Sequence, residues 1–153
     1  MSNIKKGLTV FFTFFILMTF TACGKREALS LEEFNAIMEA EGYTITDATG
    51  QIAPKQITSI SLALKDSYQI EFYVFTDADT AASVYAQNKS VFEENKPSGH
   101  VELYKNIGNY GYYSLTADGV YYLLSRVDNT MLYAVADAAY KSEINAMVKK
   151  IGY

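Results

Sequence analysis

The sequence is short of the side chains from which most sites are built. It has no tryptophan, one cysteine (Cys23), one histidine (His100) and two prolines. A lone Cys leaves no intramolecular disulfide and no thiolate metal site, and a lone His supports no multi-His metal centre. Glycines are scattered singly, so no glycine-rich phosphate loop exists. No run of Lys or Arg exceeds two, and acidic residues outnumber basic ones 17 to 13. That balance gives no electrostatic footprint for nucleic acid. Neither a metal nor another cofactor is expected.

What is present begins with a leader. Lys5 and Lys6 precede an apolar run, Leu8 to Phe20 (LTVFFTFFILMTF), and small residues lead into Cys23. Basic, apolar and small-residue segments in that order have the form of a secretory signal. The 13 residues of the run would make roughly 20 Å of helix, too short for the ~30 Å hydrocarbon core.

The stretch Phe20-Thr21-Ala22-Cys23 resembles the lipobox of bacterial lipoproteins, with Phe20 where that family usually has Leu. The resemblance covers residues 1 to 26 and implies that Cys23 carries a lipid and becomes the first mature residue. It implies a protein tethered to a membrane, on the outer side of the cytoplasmic membrane. Two or more acyl chains suffice for stable anchoring, and Lys25 and Arg26 are placed for anionic headgroups. Gly24 after the Cys leans toward a Gram-positive source.

Three parts follow: a signal peptide over 1–22, a lipidated tether over 23–29 and one domain over 30–153. Removing 1–22 takes Lys5 and Lys6 and leaves 17 acidic against 11 basic side chains, a net charge of −6. The remaining 131 residues are enough for one core.

Ser30 and Glu33 have the spacing of a capping box, and Leu31, Phe34, Ile37 and Met38 make an apolar helical face ending at Gly42. Strands are expected over 43–46, 57–64 and 68–75. A long helix starts at Asp77-Ala78-Asp79-Thr80 and ends near Asn95-Lys96-Pro97. The second half reads as a four-strand meander over 101–105, 110–116, 120–127 and 131–136. Asp118-Gly119 and Asp128-Asn129 are suited to tight hairpins. A last helix is expected from Ala138 to Ile151. The order α-β-β-β-α-β-β-β-β-α predicts an α+β fold with a largely antiparallel sheet and helices packed on one face.

One echo links the ends of the domain: 33–43 reads EFNAIMEAEGY and 143–153 reads EINAMVKKIGY. A duplication would explain it. So would two amphipathic helices sharing a core face and a Gly cap, which is the favoured reading.

Chemistry is sparse. His100 lies in a loop with no nucleophile motif beside it. Asp77-Ala78-Asp79-Thr80 resembles the D-x-D-x-T nucleophile motif of haloacid-dehalogenase-like phosphatases, but its Thr arrives one residue early. Helix capping explains the same residues, and no calcium-loop spacing is present. The remaining lead is tyrosine: Tyr110, Tyr112, Tyr113, Tyr121, Tyr122 and Tyr133 fall on adjacent strands as a candidate binding surface. Period two sends neighbours to opposite faces, so cross-strand aromatic packing competes with recognition. The expectation is a non-enzymatic binding module of the cell envelope, taking a protein, peptide or glycan. A carboxylate-dependent hydrolase or lyase and an accessory subunit of a membrane complex are the alternatives.

Overall fold

The computed structural model describes residues 25–51, 55–94 and 96–153. Cys23 and the leader lie outside the described residues, as does Asn95. The elements follow the expected order: α1 (Leu31–Ala40), β1 (Thr44–Asp47), β2 (Ile57–Lys65), β3 (Tyr68–Phe75), α2 (Ala78–Glu94), β4 (Val101–Ile107), β5 (Tyr110–Ala117), β6 (Val120–Val127), β7 (Thr130–Asp137) and α3 (Lys141–Lys150). The helix expected from Ala138 starts with a 3-10 turn, Ala138–Tyr140, in which Asp137 caps the Ala139 amide at 2.8 Å.

Among the described residues, seven strands form one antiparallel sheet in the order β1-β2-β3-β7-β6-β5-β4. The β4–β7 meander is the local hairpin series that its turns predict. Asp118 and Gly119 both have positive φ (50° and 79°), as does Asp128 (48°), which suits the right-handed twist of the strands they join. β2 alternates imperfectly because its register shifts between Ile57 and Ser59, a bulge in which Thr58 points its hydroxyl at the Val74 carbonyl (3.0 Å).

Two apolar layers follow from strict alternation along β5, β6 and β7. Tyr121, Leu123, Leu132 and Ala134 face α1 and α3, packing with Phe34, Met38, Ile144 and Val148. Tyr113, Leu115, Leu124 and Met131 point the other way and pack under α2 with Ala81, Tyr85 and Phe92. The expected packing on one face therefore describes α1 and α3, while α2 covers part of the opposite face. The central strands are apolar on both sides, and each side needs a cover.

The echo between 33–43 and 143–153 is a shared local device. Gly42 (φ 84°) and Gly152 (φ 85°) each end a helix. Tyr43 N–H bonds the Met38 carbonyl and Tyr153 N–H the Val148 carbonyl, both at 3.0 Å. Asn35 accepts from Ser61 (2.6 Å) and Asn145 from Tyr121 (2.6 Å), so each helix pins itself to the sheet through the same position. Lys150 also pairs with Glu41 across the two helix ends.

The capping box at Ser30 forms as expected: Glu33 N–H donates to Ser30 Oγ (3.2 Å), and Ser30 N–H to Glu33 Oε2 (2.8 Å). A Ser30→Ala variant is expected to lose about 1 kcal/mol of stability, read as a lower urea midpoint. Residues Lys25–Leu29, expected as a tether, lie docked on the domain. Ala28 and Leu29 pack against the α1/α3 layer, and Leu29 N–H donates to Tyr153 Oη (3.3 Å).

Candidate functional site

α2 starts at the end of β3 and covers β5–β7, leaving part of its sheet face open. Gln69, Glu71 and Tyr73 alternate onto this face from β3, and the register aligns Glu71 with Tyr133 of β7 and with Leu62 of β2. Tyr122 and Val135, themselves aligned partners, extend the face along β6 and β7. Leu64, beside Gln69, extends it along β2. Leu64 and Val135 are exposed; Tyr73, Tyr122 and Tyr133 are half-buried.

At its centre Glu71 is held by its own strand. Gln69 Nε2 donates to Glu71 Oε1 (2.8 Å), and Tyr73 Oη donates to Oε2. Burial is the first cause that holds the Tyr73 phenol above its ordinary range, and the neighbouring carboxylate adds to it. The Tyr133 phenol is raised by burial and then by Glu71. Both phenols therefore stay protonated donors at neutral pH. An oriented carboxylate, an amide and two phenols on a plate of aromatic and aliphatic side chains can hydrogen-bond a ligand's polar groups while stacking its apolar face.

The six tyrosines named from sequence do not line one surface. Tyr110, Tyr112 and Tyr121 belong to the α1/α3 layer, and Tyr113, Tyr122 and Tyr133 to the α2 side. Tyr110, Tyr113 and Tyr121 are buried. Tyr112 and Tyr121 both donate to Asn145 Oδ1 (3.1 and 2.6 Å), which gives them a structural role. Tyr122 and Tyr133 remain at the open face, each against Phe92 with ring centroids 4.9 and 5.8 Å apart. A groove of about 260 Å³ continues from Tyr122 past Phe92, Pro97, Leu115 and Val120.

Glu71, Gln69, Leu64 and Val135 were missed by sequence reasoning, although one signal existed. In YQIEFYVF the polar residues Gln69 and Glu71 share one face of an otherwise apolar strand, which marks a face not sealed by core.

Several other acidic groups are engaged elsewhere. Asp77 caps α2, accepting the Thr80 amide (2.7 Å) and the hydroxyls of Thr80 and Thr76; these bonds hold its carboxyl below the usual range. A cleft of about 140 Å³ at the ends of α1 and α3 is lined by Glu41, Tyr43, Lys65, Glu143 and Lys150. There Lys65 pairs with Glu143 at 2.8 Å, and its hydrogen bond lowers the Glu143 pKa. His100 Nδ1 faces the Pro97 carbonyl at 2.9 Å, and Nε2 faces Glu102 at 3.6 Å. Among the described residues no group of three or more His, Cys, Asp or Glu is placed to hold a metal ion, and no helix is long and apolar enough to cross a membrane.

No family model, curated protein or solved structure matches the chain.

Proposed function

We propose that this chain is an extracytoplasmic lipoprotein, held at the outer side of the cytoplasmic membrane through a lipid on Cys23, whose domain is a non-enzymatic binding module. The leader and the lipobox resemblance support the anchor. The observation that carries the binding reading is the open part of the sheet beside α2, with Glu71 oriented by Gln69 and Tyr73 among Tyr122, Tyr133, Leu64 and Val135. Its chemistry suits an extended peptide or a glycan of the cell envelope. A carboxylate hydrolase is less well supported, because a general acid needs a raised pKa and Glu143 and Glu102 are lowered by lysine partners.

Two experiments test the two parts. Labelled fatty acid should enter the wild type and not Cys23→Ala, with membrane retention lost in the same variant; an unlabelled wild type sinks the anchor. For binding, NMR titration with soluble cell-wall glycan and peptide fragments should shift Glu71, Tyr73, Tyr133 and Val135. Glu71→Gln should then weaken affinity about tenfold, the scale of one hydrogen bond to a charged group. Shifts clustered elsewhere, or none, would refute the assignment to this face.

One feature favours the accessory-subunit reading as a second possibility. Edge strand β4 exposes Val101, Leu103, Tyr104 and Ile107, whereas the opposite edge, β1, has four residues and ends in Asp47. An apolar, uncapped edge is a template for strand addition.

A further inference from the structure

Residues 25 and 26 are bound at one end of the sheet. Arg26 N–H donates to Asn109 Oδ1 (2.9 Å), and Asn109 Nδ2 donates back to the Arg26 carbonyl (2.7 Å). This makes a two-bond bridge between the incoming chain and the β4–β5 turn. The Arg26 guanidinium lies 3.5 Å over the Tyr110 ring and donates through Nη1 to the Gly152 carbonyl at 2.9 Å. Lys25 Nζ is 3.6 Å from Asp128 in the adjacent β6–β7 turn.

This clasp fixes how far the domain can stand from its anchor. Arg26 lies three residue steps from Cys23, a reach of at most about 11 Å even when fully extended. A free tether over 23–29 would have allowed roughly twice that distance. The surface nearest the clasp has the composition of a bilayer contact. Ile107, 62% exposed, ends β4 beside Gly108-Asn109. Arg26 and Lys105 supply positive charge for anionic headgroups, while Lys25 is exposed but loosely paired with Asp128.

We propose that the β4–β5 turn is the domain's membrane-contact end, with Ile107 seated among the lipid headgroups and the Arg26–Asn109 clasp holding it there. The inference rests on lipidation of Cys23. Val101, at the far end of β4 and equally exposed at 62%, then stands clear of the bilayer by up to about 20 Å, six residues of strand. The open face carrying Glu71 lies to the side, neither pressed onto the lipid nor free to tumble.

Because the chain contains no Trp, single Trp substitutions report position without a dye. Ile107→Trp and Val101→Trp proteins, produced with the natural leader in a lipoprotein-processing bacterium, would be reconstituted in phosphatidylglycerol vesicles with brominated acyl chains. Quenching severalfold stronger for Ile107→Trp than for Val101→Trp is expected, with the intact mass confirming lipid on Cys23. Equal quenching, or stronger quenching at Val101→Trp, in protein whose mass carries the lipid would overturn the orientation. A mass without lipid overturns the anchoring reading, and the orientation with it, and the mass tells the two failures apart. Adding Asn109→Ala should shrink the difference; a difference that persists unchanged removes the clasp from the account.

Discussion

Titration with alkali is expected to unfold this protein cooperatively between about pH 10 and 11.5, well before its buried phenols ionise in the folded state. Tyr43, Tyr68, Tyr85, Tyr110, Tyr113, Tyr121 and Tyr153 are each no more than 6% exposed. Burial is the first cause that raises every one of them above the ordinary value of 10.0, Tyr153 to about 12. A folded pKa above the unfolded one gives stability that is complete below the unfolded value and lost as pH rises toward the folded value. At pH 11 a phenol that stays protonated in the folded protein favours the unfolded chain by about 1.4 kcal/mol. The five raised most strongly, Tyr68, Tyr85, Tyr113, Tyr121 and Tyr153, together reach roughly 7 kcal/mol, within the range of a domain's whole stability. Tyrosinate absorbance near 295 nm and far-UV circular dichroism should therefore change together in one steep step. A gradual rise in absorbance near pH 10 with the dichroism intact would mean that the rings are solvated.

The second large effect is expected at the centre of the α1/α3 layer. Phe72 on β3 is fully buried. It stacks on Phe34 of α1 with centroids 4.5 Å apart and rings 10° from parallel, and it meets Tyr153 edge-on at 6.1 Å. One ring thus joins both ends of the domain across the sheet. Phe72→Ala removes the apolar transfer term and leaves a cavity that a sheet held by ladder hydrogen bonds cannot collapse into. The cost is expected at about 3–5 kcal/mol, read from urea unfolding. Val135→Ala on the open face is the control, expected within about 0.5 kcal/mol. Comparable losses at the two positions would mean that the open face is covered in the folded protein.

Much of the candidate site was out of reach from sequence for a definite reason. Glu71 and Tyr133 become neighbours only because β3 pairs with β7, and β-ladders join backbone groups that every residue carries. Tyr122 and Tyr133 were among six tyrosines named for falling on adjacent strands, and side-chain alternation told only that neighbours on one strand face opposite ways. It did not tell which strand would lie alongside. Nor could it tell that α2 would leave Tyr133 at an open face while burying Tyr113.

What the chain determined by itself is its local structure. Ser30 and Glu33 start α1, Gly42 and Gly152 end two helices, and Asp118-Gly119 and Asp128-Asn129 close hairpins, because capping and turn geometry are satisfied by residues a few positions apart. The order of helices and strands follows from those signals together with apolar periodicity. Tertiary structure alone decided the rest: the β3–β7 junction, the placement of α2 opposite α1 and α3, the open face around Glu71, and the bridge from Arg26 to Asn109, 83 positions away. Each joins residues distant in sequence through contacts worth making only when the whole sheet is in place.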